Sequence, residues 1–158
     1  MNILSVDGRR LLENPLFLSA ISSFLFAQLI KAAVALSIGG RMRFRAAFES
    51  LLWRTGGMPS SHAALVSSLS ASAAINEGTQ SNLFVVTLFL ALIVMRDAMG
   101  VRRSSGVQAK TLNVLGSKVA EQSDFDYHPV KEVQGHTPLE VVVGCLLGII
   151  IAAAYAYL

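Results

Sequence analysis

Four apolar stretches, at residues 15–38, 60–75, 82–95 and 138–158, constrain this chain more than any other feature. Roughly 20 apolar residues cross the hydrocarbon of a bilayer as a helix, and these stretches approach or reach that scale. The rest of the composition agrees. The chain is 53% hydrophobic and only 15% charged, with a mean hydropathy of +0.56, whereas soluble domains carry about a quarter charged residues. There is too little water-facing surface for an ordinary soluble fold, and a bilayer supplies the missing apolar surroundings. With 158 residues, the length suits one domain over 1–158. The expected fold is all-α, an integral membrane helical bundle of about four spanning or near-spanning helices.

The stretches differ in kind. The first opens on Asn14-Pro15, an N-cap followed by proline in the first turn. The second is rich in Ala and Ser and only weakly hydrophobic; small residues let helices approach closely, which predicts a place inside the other three. Glu77-Gly78 closes it, and the link GTQSN predicts an antiparallel hairpin with the third stretch, which extends toward Val101. The fourth is almost wholly apolar after Glu140. Between the third and fourth, residues 101–135 read as a polar loop carrying a short helix around 106–116. The polar N-terminal segment 1–14 carries acids and no small-residue cleavage site, so the first stretch reads as a retained membrane segment rather than a signal peptide. The single cysteine, Cys145, excludes an intrachain disulfide and a cysteine-built metal site and reads as a small buried apolar group.

Charge gives the orientation. Lys and Arg number 13 against 10 acids, a formal +3, too small an excess to argue for nucleic acid. Its distribution says more. Arg41, Arg43, Arg45 and Arg54 lie between the first two stretches, and Arg96, Arg102, Arg103, Lys110, Lys118 and Lys131 between the last two. Alternating spans place both groups on one side, the cytoplasm by the positive-inside rule; Arg9 and Arg10 then fall opposite. Whatever the orientation, GGMPSSH, RDAMGVRR and QGHTPLE share one membrane face.

That face collects two histidines, several cations and small residues. Cations beside helix N-termini supply what a phosphate group needs, donors and positive potential. Pro59, Ser60 and Ser61 would leave free backbone N–H groups at the start of the second helix, and Gly56 and Gly57 would let a ligand approach the backbone.

MPSSH resembles the PSGH motif of the type 2 phosphatidic acid phosphatase and vanadium haloperoxidase superfamily. GHTPLEVVVGCLLG resembles its closing motif, a histidine followed four residues later by an acid and then a Gly-rich apolar helix. AQLIK, GGMPSSHAA, VMRDAMGVRRSSGVQAKTLN and GHTPLEVVVGCLLG occur together and in order. The whole set, over residues 25–158, resembles a divergent branch of that superfamily, small bacterial and plant membrane proteins. The resemblance implies phosphoester hydrolysis through a phosphohistidine. His136 would be the nucleophile, His62 the general acid and Glu140 the acceptor that orients His136. Lys31 and Arg45 would stand for the lysine and arginine of the first motif, and Ser60 and Ser61 would help cradle the transition-state oxygens. The closing motif's usual arginine is replaced: Val130 stands at its offset and Lys131 one nearer, with Arg102 or Arg103 as alternatives. Ser61 stands where glycine is usual, Ala46 where proline follows the first motif's arginine, and Glu140 where aspartate is customary. No metal or other cofactor is implied, and vanadate is expected as an inhibitor. The implied substrate is a lipid phosphate or pyrophosphate in the bacterial cytoplasmic membrane, met at the cytoplasmic face.

Structural readings stand beside these. Thr137-Pro138-Leu139-Glu140 fits a capping box, so Glu140 caps a helix, orients His136, or does both. Lys31 either snorkels to the interface or binds phosphate. Arg41, Arg43 and Arg54 suit orientation or anionic lipid contact. Asp97 suits pairing with Arg102 or Arg103, and His128 suits a solvent-exposed loop. Gln108 and Asn113 fall in the family-like block with no physical role legible. The alternative function is a non-catalytic membrane protein that binds anionic head groups or a partner through the same basic face.

Overall fold

The computed structural model describes residues 11–38, 57–123, 125–133 and 135–157. These residues form five helices and no strand: α1 (Pro15–Ile38), α2 (Ser61–Glu77), α3 (Asn82–Met99), α4 (Val101–Gln122) and α5 (Pro138–Tyr157). The all-α expectation holds. Residues 1–10 and 39–56, which include most of the N-terminal segment and Arg41, Arg43, Arg45 and Arg54, lie outside the described residues.

Local signals set the helix ends. Asn14 Oδ1 accepts the N–H groups of Leu16 and Phe17 at 2.9 and 3.3 Å, the predicted cap of α1. Gly78 closes α2 at φ +84°, a left-handed conformation that glycine adopts without a Cβ penalty. Three residues later Ser81 caps α3 by accepting from Phe84 N at 3.1 Å.

Three helical stretches, beginning at Pro15, Asn82 and Pro138, are long and apolar enough to cross a membrane. The remaining apolar helix, α2, is their shared core. It packs against α5, α1 and α3, most extensively against α5, and buries Ser61, Ala63, Ala64, Val66, Ser67, Ser68, Ser70, Ser72 and Ala73. Its 17 residues span about 25 Å at 1.5 Å per residue, somewhat short of a hydrocarbon core of about 30 Å. Residue size explains the intimacy of the packing. Gly144 and Gly148 of α5 are buried, and a Cβ at either would run into the carbonyl oxygen of Ser60 or Ala64. The Gly-x-x-x-Gly spacing places both on the side that meets α2. Ser23 of α1 donates to Ala64 O at 3.2 Å, and Ser22 Oγ meets Tyr155 Oη at 2.8 Å, joining α1 to α2 and to α5. Large side chains face outward instead: Val86, Phe89 and Ile93 of α3 are each at least 60% exposed, as a lipid-facing surface requires.

The polar region departs from expectation. Rather than a loop with a short helix at 106–116, it holds the 22-residue α4, which follows α3 directly and is interrupted only at Gly100. Gly106 and Gly116 are interior to α4, not its ends. At Gly116 the absent side chain admits the returning chain: a Cβ there would overlap the Tyr127 ring. Segment 125–133 lies back along α4, fastened by Asn113. Its amide nitrogen donates to Val130 O (3.0 Å) and Glu132 Oε1 (2.9 Å), and its amide oxygen accepts from Tyr127 Oη (2.7 Å) and Val130 N (2.9 Å). Asn113, without a legible role in the sequence, is thus the clamp on this segment.

Candidate active site

The N-terminal ends of α2 and α5 meet at one end of the bundle. Gly57, at φ +87°, turns the chain into Met58-Pro59. Ser60 is fully buried at the N-cap of α2. Its N–H donates to Glu140 O at 2.9 Å, and its hydroxyl accepts from Ala63 N at 3.4 Å. The first bond joins the starts of α2 and α5, and the second caps α2. Ser61, 2% exposed, sits in the first turn and receives the Lys31 ammonium of α1, Nζ to Oγ 3.4 Å. Lys31 also lies within electrostatic range of Glu140. It does not simply snorkel outward; it turns toward the start of α2.

His136 precedes α5 and is 4% exposed. Two contacts fix it. Its backbone N–H donates to Ala98 O of α3 at 3.0 Å, and its Nδ1 meets Glu140 Oε2 at 3.0 Å. The same carboxylate oxygen accepts Thr137 N at 3.1 Å, while Glu140 N donates to Thr137 Oγ1 at 3.4 Å. Glu140 therefore closes the capping box and holds the imidazole at once. A carboxylate at Nδ1 favours a proton there, which leaves the Nε2 lone pair available. Gly135 immediately before it lies against the Arg103 backbone, where a Cβ has no room.

His62, on the second residue of α2, is more exposed and stands edge-on to Phe24 of α1, ring centroids 6.3 Å apart. It lies within electrostatic range of Arg102, Lys31 and His136. Arg102 is held from behind, Nε to Asp97 Oδ2 2.8 Å, the pairing expected for Asp97. That bond leaves the two terminal guanidinium nitrogens for another partner.

Lys31, Ser60, Ser61, His62, Arg102, His136 and Glu140 thus converge. Arg103 is placed differently: with Lys110, Glu132 and Gly57 it lines a polar cleft of about 380 Å³ that reaches Thr137 and Glu140. Lys131 is exposed on the returning segment and has no hydrogen bond or ion pair among the described residues. His128 is exposed as expected, near Asp126 at 3.7 Å. Arg45 lies outside the described residues. Among the described residues no group of three His, Cys, Asp or Glu side chains has the arrangement of a metal site. Sequence reasoning missed Phe24 and the Ala98 carbonyl. Phe24 was findable, since it precedes Lys31 by two helical turns on the same face of α1; the Ala98 contact depends on how α3 docks.

Comparison with known proteins gives a family and a relative for the chain. The family described as "Divergent PAP2 family" matches residues 12–151. The chain is also 39% identical to the "Uncharacterized membrane protein YuiD" of Bacillus subtilis (strain 168), an alignment covering 93% of this chain and 97% of that protein. No solved structure matches the chain significantly.

Proposed function

The chain belongs to the divergent PAP2 family, and from its site we propose that it is a membrane phosphatase acting on a lipid phosphate or pyrophosphate monoester through a phosphohistidine. The observation that carries this reading is the setting of His136. It is buried, its Nδ1 lies on Glu140, and it stands within range of a second imidazole that is itself near Lys31 and Arg102.

The chemistry follows from those positions. Lys31, Arg102, the Ser61 hydroxyl and the first N–H groups of α2 hold the phosphate oxygens and stabilise the charge that grows on them. His136 Nε2 attacks phosphorus, the bond to the leaving oxygen breaks, and protonated His62 gives that oxygen its proton. Glu140 stabilises the positive imidazole as the N–P bond forms. Neutral His62 then takes a proton from water, the oxygen attacks phosphorus, and phosphate leaves with His136 restored. Vanadate, a mimic of five-coordinate phosphorus, is expected to compete.

Purified protein in detergent, supplied with phosphatidic acid or a prenyl pyrophosphate, tests the reading. His136→Ala is expected to abolish turnover. His62→Ala is expected to lower it by about 10²–10⁴, the usual worth of a general acid. Full turnover in both variants would rule out these roles.

A further inference from the structure

The site has two kinds of surroundings. On the side of Glu140 and Thr137 the neighbouring cleft carries charge of both signs, with Arg103, Lys110 and Glu132 in its wall. Next to Pro59 the neighbouring groove is wholly apolar. It has a volume of about 320 Å³ and is lined by Ile30 and Val34 of α1, Met58 and Pro59 before α2, and Val143 and Leu147 of α5.

Every wall of this groove adjoins a residue of the phosphate site. Ile30 precedes Lys31, Pro59 precedes Ser60, and Val143 follows Glu140 by three residues on α5. Val143 and Leu147 lie one helical turn apart on a ridge that leads away from the site along α5, while Ile30 and Val34, one turn apart on α1, flank Lys31. Ile30, Val34 and Met58 are each 39–44% exposed, and Ile30 and Val34 lie on a helix long and apolar enough to cross a membrane. Such a surface has no polar group to hold water or a head group; what lies on it in a bilayer is hydrocarbon.

Resting on the phosphatase reading above, we propose that this α1/α5 groove seats the hydrocarbon chain of the substrate, whose phosphate lies at Lys31 and Ser61. The substrate then reaches the site laterally from the lipid, and the polar cleft beyond Glu140 is left for water and inorganic phosphate. The alternative arrangement, with the chain in that cleft, would lay hydrocarbon against the charged groups of Arg103, Lys110 and Glu132 and strip them of water. The groove therefore selects esters with a long chain over phosphates without one.

The test fills the groove from either wall with Val34→Trp and Leu147→Trp, in detergent-purified full-length protein. For each, kcat/KM is measured on dioleoyl phosphatidic acid and on p-nitrophenyl phosphate, which has no chain. The ratio of the two is expected to fall about tenfold in both variants, equivalent to losing roughly two buried methylenes. A ratio equal to that of the wild type in both would overturn the groove assignment. Wild-type protein that hydrolyses neither ester would count against the phosphatase reading instead. Native mass spectrometry then tests the groove on its own terms. Weaker retention of dioleoyl phosphatidic acid by the Trp variants supports it, and equal retention by all three proteins overturns it.

Discussion

Glu140 is the residue on which structure and chemistry meet. One of its oxygens accepts from Thr137 N and lies on His136 Nδ1, so a single side chain starts α5 and fixes the imidazole. The two tasks separate under substitution. Glutamine serves a capping box about as well as glutamate, but it has no charge to stabilise a positive imidazole and offers its amide in either orientation. Glu140→Gln is therefore expected to retain the thermal midpoint of the wild type within a few degrees. Its turnover is expected to fall steeply, by about 10⁴ on the precedent of the carboxylate-to-amide exchange in serine proteases. Thermal unfolding and single-turnover hydrolysis measured together distinguish this from a purely structural glutamate, for which both would stay near wild type. His62, His136 and Glu140 stand out in the sequence through the resemblance of MPSSH and GHTPLE to the superfamily's motifs. Ser60 was legible only in part: its place at the helix start follows from Pro59-Ser60, but the bond from its N–H to Glu140 O requires knowing that α2 and α5 begin side by side.

At the scale of elements, the apolar runs define α1, α3 and α5 almost to the residue, because a bilayer demands long uninterrupted apolar helices. α2 was legible from its small residues, which suit a core position better than a lipid-facing one. α4 was not. Its glycines read as helix ends, whereas Gly116 lies mid-helix to make room for Tyr127, a contact invisible from local sequence. The clamp made by Asn113 belongs to the same tertiary arrangement. Its four hydrogen bonds hold the segment that leads to His136, and each net bond is worth about 0.5–1.5 kcal/mol. Asn113→Ala is expected to destabilise that segment by about 1–3 kcal/mol, seen as faster amide exchange over 125–133 with α2 and α5 protected as before. Unchanged exchange in 125–133 would show that the clamp contributes nothing.

For the whole molecule, the alternation of spans predicted which loops share a face, and the fold brings Lys31, His62, Arg102, His136 and Glu140 together at one end. What alternation does not give is distance. The Lys31–Ser61 contact and the pairing of Arg102 with Asp97 arise only when α1 packs on α2 and when the chain turns at Gly100. The clustering of basic residues in the polar region carries a further expectation, that this end faces the cytoplasm. In a Cys145→Ala background, His128→Cys places a thiol in the exposed segment after α4. A membrane-impermeant maleimide is expected to label it in inverted vesicles and not in intact cells. The reverse pattern would place the site on the outer face while leaving its chemistry as described.

The central claim is that His136 is the nucleophile of a phosphate site built on the paired starts of α2 and α5. Rapid quenching of the detergent-purified protein incubated with phosphatidic acid, followed by peptide mass spectrometry under alkaline conditions, tests it directly. An acid-labile phosphate is expected on the imidazole of His136, absent from His136→Ala and reduced by vanadate. Turnover that continues in His136→Ala, or a phosphoryl group found on another residue, would contradict it.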